Sequence, residues 1–317
     1  MQRMMTILKG IIFIVGVLFY PETYAPVLLR KRAKKLSLAM SGAIYQSKFE
    51  APMKVPFIKL LKTSLSHPWT LLFREPIVLL LSLYIAVIYG VLYMFLAAFP
   101  IVYKQKRGWS TGISGLVFCG LAVGMLVAII YTILENSRYN KMASKYPSSR
   151  APPEARLPPA IVGAFTIPIG LFWFAWTNSP SIHFMVSITA GVPIGFGMVL
   201  VMISIFNYLI DSYVIHAASV LAANLVLRSI FGAVFPLFTP YMYANLGIHW
   251  AASLPGFLAL ICLPFPFIFW KYGARIRQIS KFAMKSQAFL DKLAAQPEKN
   301  GETQAKRQTD DRGVILA

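Results

Sequence analysis

Arg228 is the one formally charged residue in the apolar run from Ser212 to Trp270. A guanidinium stays protonated at any accessible pH, and holding one at hydrocarbon depth is costly enough to make the residue a functional candidate by default. Asn224 lies four residues before it and Gly232 four after, so a polar and small stripe shares one helical face. Two readings fit this pattern: a group that meets a guest in a cavity, or a structural donor to backbone carbonyls of a neighbouring helix. Ser82, Ala86, Tyr89 and Tyr93 recur at spacings of four, three and four. That face offers aromatic rings to a cationic or apolar guest, and helix packing accounts for it as well. Tyr89, Tyr93, Asn224 and Arg228 are the candidate cavity residues.

A second set of polar residues sits at the ends of apolar runs. Asp211 closes one of them, where a carboxylate reaches water easily, so a gate or capping contact with a basic residue outweighs a proton-carrying role. Glu135, Asn136, Arg138, Tyr139 and Lys141 follow another run directly. Glu135, Arg138 and Asp211 are the gating candidates, the first two because their segment resembles a basic gating loop of the family named below, with a salt-bridge latch as the arrangement which that resemblance implies. No Asp or Glu falls within the long uncharged stretches, so these offer no acid for proton coupling. His67, His183, His216 and His249 are dispersed, with no paired spacing on one helix that would suggest a metal. Cys119 and Cys262 are far apart within apolar runs, which suggests neither a disulfide framework nor a metal site. No nucleophile sits beside a base and no glycine-rich loop could cradle phosphate. The expectation is a protein without catalytic residues, metal or cofactor, and not an enzyme.

The elements that position these residues follow from composition. Of 317 residues 57% are hydrophobic and 13% charged, with a mean hydropathy of +0.62. A bilayer is the solvent that suits such a chain. A helix needs roughly 20 apolar residues to cross the hydrocarbon core, and six stretches qualify, at about 77–103, 109–134, 158–177, 182–207, 215–240 and 248–270. The breaks between them carry turn chemistry: Lys104-Gln105-Lys106-Arg107, Thr177-Asn178-Ser179-Pro180-Ser181, and Tyr241 to Gly247. The run from Met4 to Tyr20 carries Lys9 and leaves too few uncharged residues for an ordinary crossing. It reads as the tail of a helix whose start lies outside the chain, or as an interfacial anchor; its end, Tyr20-Pro21-Glu22-Thr23, does not resemble a signal-peptide cleavage site. Residues 21–75 form a basic loop in which Lys54 to Leu65 has Phe57, Ile58, Leu61 and Leu65 at helical spacing, either a helix on the inner leaflet or a solvated connector. Residues 273–317 read as a basic, largely disordered tail.

The net charge of +20 is gathered by position. Ten Lys and Arg lie in 21–75, five in 135–156 and ten from Lys271 onward, against three in Lys104 to Arg107. Alternation of six spans puts the three rich segments on one side, which the bias of basic loops makes cytoplasmic. Nucleic acid is not the partner this distribution suggests; the lipid bilayer is.

Several motifs resemble a known family. Pro21-Glu22-Thr23-Tyr24-Ala25-Pro26-Val27-Leu28-Leu29-Arg30-Lys31-Arg32-Ala33-Lys34-Lys35-Leu36 looks like the segment that closes the sixth helix and opens the central loop of fungal twelve-span drug:proton antiporters of the major facilitator superfamily. Leu72-Phe73-Arg74-Glu75-Pro76-Ile77, Gly108-Trp109-Ser110-Thr111-Gly112, Tyr208-Leu209-Ile210-Asp211-Ser212-Tyr213 and Leu227-Arg228-Ser229-Ile230-Phe231-Gly232 match the same family before its seventh and eighth helices, after its tenth and within its eleventh. The resemblance covers roughly residues 10–285. It implies an all-α transmembrane fold: the six-helix C-terminal bundle of the major facilitator fold, preceded by the remnant of the sixth helix at 1–20. It further implies efflux of drugs, polyamines or other small organic compounds in exchange for protons, at the plasma membrane. The partners would be that substrate, protons, and either the N-terminal half of the transporter or a second subunit. The basic loop and the glycine-rich helix that family members use for gating and antiport belong to that other half, so the chain is expected to be a truncated form. A non-transporting membrane protein that associates with another subunit is the alternative.

This topology has a direct test. Epitopes inserted at residues 147–150 and after residue 295 are expected on the same side of the membrane in permeabilisation assays; opposite sides would sink the assignment.

Overall fold

The structure, a computed structural model, describes residues 2–20, 25–39, 57–146, 151–179 and 182–294. The chain divides into two compact units, residues 1–62 and 63–317. The first contains α1 (Gln2–Phe19) and α2 (Ala25–Ala39). α1 exposes Ile7, Phe13, Val17 and Leu18 around much of its circumference, as a lipid-facing helix does. α2 is basic, with Arg30, Lys31, Arg32, Lys34 and Lys35 within its 15 residues. The amphipathic segment expected from Lys54 begins within the undescribed residues; what is described is helix α3 (Phe57–Arg74), on which Ile58, Leu61 and Leu65 are exposed.

The second unit is built from long apolar helices. α4 (Pro76–Phe99) starts on a proline, whose fixed φ and missing N–H suit the first helical turn. It widens into a π-helical turn over Pro100–Lys106. The short α5 (Thr111–Leu116), capped by the Ser110 hydroxyl, leads into α6 (Phe118–Ala143). A tight turn at Pro153–Arg156 precedes α7 (Pro158–Thr177), and α8 (Phe184–Thr189) leads into α9 (Gly191–Ser212). α10 (Ala217–Cys262) is followed by α11 (Pro264–Ile279) and α12 (Lys281–Ala294). Five stretches among the described residues have the length and composition to cross a membrane. The last, Val214–Ile279, is 66 residues long, far beyond one crossing, and Gly247 breaks it with a φ of 74°. At that φ a residue with a Cβ is strained, so glycine sets where the chain bends.

Three expectations are corrected in detail. The segment from Glu135 was expected as loop, yet α6 continues to Ala143, because a helix leaving the hydrocarbon needs no apolar residues to keep its backbone bonds. The break expected over 241–247 is confined to Gly247, with helix running up to it. Of the tail expected to be largely disordered over 273–317, the part up to Ala294 is helical apart from Ser280, with Ala283 and Ser286 buried, and the rest lies outside the described residues.

Packing follows the small residues. α6 lies on α9, α9 on α7, and α4 along α10. A Cβ on Gly120 or Gly124 of α6 would collide with the carbonyl oxygens of Ile188 and Val192, and one on Gly195 of α9 with that of Leu121. Both glycine pairs, Gly120/Gly124 and Gly191/Gly195, therefore face one another as a close backbone contact. α4 carries much of the core, with Ile77, Leu81, Ile85 and Val91 fully buried. At one end of the bundle Arg107 donates to the carbonyls of Ser179 (2.6 Å) and Ile182 (3.0 Å), and Tyr103 shares a 2.7 Å bond with Ser187.

Gly195→Leu is expected to destabilise the detergent-solubilised bundle by about 1–3 kcal/mol through overpacking. Gly112, which has open space around it, is expected to accept alanine with no such loss. Thermal unfolding monitored by circular dichroism separates the two; equal behaviour would contradict the packing.

Candidate functional site: an uncompensated arginine and a charged end

Tyr89 and Tyr93 stand one turn apart on α4, their hydroxyls 3.3 Å from each other and their ring centroids 4.9 Å apart. α10 brings Arg228 against this pair, its guanidinium carbon 4.8 Å from the Tyr89 ring centre and 5.9 Å from that of Phe206 on α9. Gly232 makes the approach possible, since a Cβ there would come within 3.0 Å of the Tyr89 ring. The upper part of the tyrosine stripe goes elsewhere: Ser82 and Ala86 are fully buried in the core.

The structure does not pair Arg228 with backbone carbonyls of a neighbouring helix. Among the described residues it has no hydrogen bond and no ion pair, and its Nε is buried without a partner. Its neighbours are aromatic faces, which attract the charge without satisfying its five N–H donors. Asn224, one turn away, is completely buried, and neither end of its amide has a described partner. Tyr89, Tyr93 and Arg228 thus meet as one group, and Asn224 lies one turn from Arg228 along α10.

The gating candidates lie in a different place. Asp211, at the end of α9, accepts from Arg156 Nε at 3.1 Å. The same guanidinium covers the Tyr139 ring at 3.4 Å and donates to Asn136 at 3.4 Å. Arg138 pairs with Glu135 one turn away on α6, at 3.1 Å, instead of with Asp211. A cavity of about 280 Å³ opens beside these residues, lined among others by Thr132, Asn136, Tyr139, Arg156, Ser204 and Asn207. The described cavity is at the charged end of the bundle, not along the tyrosine stripe.

The sequence profile of the Major Facilitator Superfamily matches residues 3–236. The chain belongs to the major facilitator superfamily. It is 58% identical over 293 residues to the MFS-type efflux pump MFS2 of Trichophyton rubrum, covering 92% of this chain and 49% of that protein. To the multidrug transporter mdrA of Aspergillus fumigatus it is 59% identical over 289 residues, 91% of this chain and 47% of the relative. The efflux pump FUB11 of Gibberella moniliformis is 51% identical over 297 residues, 92% of this chain and 49% of the relative. The chain spans about half the length of the curated relatives it matches. Its long apolar helices make this superfamily member a multi-pass membrane protein.

Sequence reasoning missed three further contacts of this superfamily chain. Glu154 is bound by Arg277 through two bonds of 2.9 and 2.8 Å, with both side chains only 12–13% exposed. Glu75, the buried residue before α4, accepts from the Tyr213 hydroxyl at 3.0 Å. Burial pushes the Tyr213 phenol above its ordinary range, so it keeps the proton that it donates. His67 and His216, dispersed in sequence, bring their rings to 4.9 Å, with Phe282 packed edge-on against both. The only sequence signal for these contacts is that each residue is a polar group next to an apolar run.

The two ion pairs are expected to differ in weight. Arg156 and Asp211 are 24% and 34% exposed, so their coupling in a double-mutant cycle with Arg156→Gln and Asp211→Asn is expected at about 0.2–1 kcal/mol. Arg277→Gln leaves Glu154 buried and unpaired, at an expected cost of about 3–5 kcal/mol. Unfolding of the purified chain in detergent checks the order; a smaller loss for Arg277→Gln than for Arg156→Gln would refute it.

Proposed function

We propose that this chain forms the second half of an exporter that moves small organic compounds out of the cell, with its tail in the cytoplasm and its spans in the plasma membrane. The observation that carries the reading is the identity of 50% or more with fungal efflux pumps and a multidrug transporter across more than nine-tenths of the chain. In transporters built from two repeats, the substrate site lies near mid-membrane at the interface between them. The half-buried group of Tyr89, Tyr93 and Arg228, with the fully buried Asn224 one turn away on α10, suits that place, being polar and aromatic. The cluster of Arg156 with Asp211, Asn136 and Tyr139 suits a gate at the cytoplasmic end: a shared guanidinium holds α6, α9 and the turn before α7 together and would release them when the end opens. Export in exchange for protons needs a titrating carboxylate. Of the carboxylates on described segments, Glu75, Glu135, Glu154 and Asp211 lie at span ends and Asp291 on α12 beyond the spans, which supports a coupling acid in the facing half.

The test is resistance. A host cell lacking its own exporters is given residues 1–317 together with the first half of one of the relatives above, and exposed to a panel of drugs, organic acids and polyamines. A several-fold rise in tolerated concentration for some members of the panel is expected, lost on Arg156→Gln at unchanged abundance in the membrane. No change for any compound, with both halves present in the membrane, would sink the proposal.

A further inference from the structure

We propose that His67 and His216 form an acid-sensitive clasp that ties α3 to α12 and to the turn between α9 and α10, closed while both imidazoles are neutral and released when both carry a proton.

His67 lies on α3, and His216 ends the short turn Val214–His216 that joins α9 to α10. Their ring centroids stand 4.9 Å apart with the planes tilted by 37°, and both residues are half-buried. Phe282 of α12 meets both rings edge-on, at 6.2 Å and 88° to His67 and at 5.3 Å and 79° to His216. Neutral rings favour such tilted and edge-on contacts. Three elements far apart in sequence are thereby joined through one aromatic cluster.

Charge decides whether that cluster persists. Histidine is the side chain whose ordinary titration falls between about pH 5 and about pH 8. Two imidazolium rings at this separation repel each other, and Lys285 adds a third cation: its ammonium stands 5.9 Å from the Phe282 ring centre and acts on His216 through space. The other charged groups on the elements packed here do not offset this. Asp211 at the end of α9 is turned to Arg156, Glu75 beyond α3 to the Tyr213 hydroxyl, and Arg277 of α11 to Glu154. Lys62 and Arg74 on α3 and Lys281 on α12 are exposed cations, and α10 carries no Asp, Glu, Lys or Arg before Arg228. Release lets each ring take its proton in water, so the open form binds more protons than the closed one and acid drives opening. The contact is present above the ordinary histidine range, about pH 6.5, and lost as pH falls through it.

α3 is built to yield at this point. Pro68 follows His67 inside the helix, where its missing N–H removes a backbone bond and favours a bend. Leu71 and Leu72, on the far side of that proline, are buried in the core and hold the end of the helix. Opening therefore swings the turn that carries His67 about Pro68 and leaves the rest of α3 in place. The clasp needs only the contact, whatever the chain carries across the membrane.

The experiment uses the full chain purified in a maltoside detergent, with Cys119 and Cys262 replaced by alanine and nitroxide labels on Leu65→Cys and Met284→Cys, exposed positions of α3 and α12. Pulsed electron paramagnetic resonance reads the distance between the labels at about pH 7.5 and about pH 5.5, on either side of the histidine range. The ratio of long to short distances is expected to rise about tenfold or more on acidification. His67→Gln and His216→Gln are each expected to reduce that rise several-fold, and His67→Lys, which fixes a charge in the cluster, to show the long distances at both pH values. His183 and His249 titrate in the same range elsewhere in the chain, so a response that persists in full in the glutamine variants belongs to another group and would overturn the proposal. So would an unchanged distance in the parent chain, short distances in His67→Lys at both pH values, or a change that comes with loss of the helical circular-dichroism signal. If one glutamine variant fails to fold, the other carries the test.

Discussion

In hydrocarbon, two helices gain nothing from hiding leucines against each other, because the lipid tails are equally apolar. What holds a bundle together there is backbone approach and polar contact, and this structure depends on the first at the α6–α9 seam. Gly120 and Gly124 oppose Gly191 and Gly195 so closely that a methyl on Gly120, Gly124 or Gly195 would enter a carbonyl oxygen. α9 is then the shared wall: α6 lies on one side of it and α7 on another. Its end carries Asp211 to Arg156, and five residues earlier it carries Phe206 to Arg228. The placement of both polar groups follows from how closely α9 can be approached.

The second stabilising device is electrostatic and confined to the ends of the helices. Glu154 with Arg277, Asp211 with Arg156, and Glu75 with Tyr213 all join segments distant in sequence. Their burial differs. The Glu154–Arg277 pair is enclosed and satisfied by two bonds, which suits a fixed joint. The Arg156–Asp211 pair is half-open beside a 280 Å³ cavity, which suits a joint that opens. A latch that must release cannot be deeply buried, because each opening would then expose an uncompensated charge to a poor solvent.

How much of this was legible in the sequence depends on range. Charge-free length marks a crossing by itself, so the apolar helices and the break near Gly247 were readable without a fold. The face shared by Asn224, Arg228 and Gly232 was readable because helical periodicity is local, as was the small-residue spacing of the glycine pairs. Pairing across the bundle was not. Tyr213 meets Glu75 across 138 residues and Arg277 meets Glu154 across 123, and a single sequence holds no signal for which carboxylate a basic residue will reach. The same blindness hid the approach of His67 to His216. The end of α6 was hidden for a different reason: Glu135 to Lys141 reads as loop by polarity, whereas a helix emerging into water loses its apolar requirement and keeps its backbone bonds.

These two kinds of polar group pull in opposite directions, and that tension bears on function. A fold selected only for stability would have given Arg228 a carboxylate or replaced it with an aliphatic residue, since a buried unpaired donor is a standing loss. Among the described residues the buried Asn224 amide is likewise without a partner, as is that of Asn178. Asn224 and Arg228 sit one turn apart on α10, and Arg228 lies over the Tyr89 ring, an approach that Gly232 leaves open. The ends of the helices show that this chain can satisfy its charges where satisfaction serves it, with four carboxylates each given a partner. Among the described residues the bonds that join distant segments thus gather at the helix ends, whereas Arg228 meets ring faces alone.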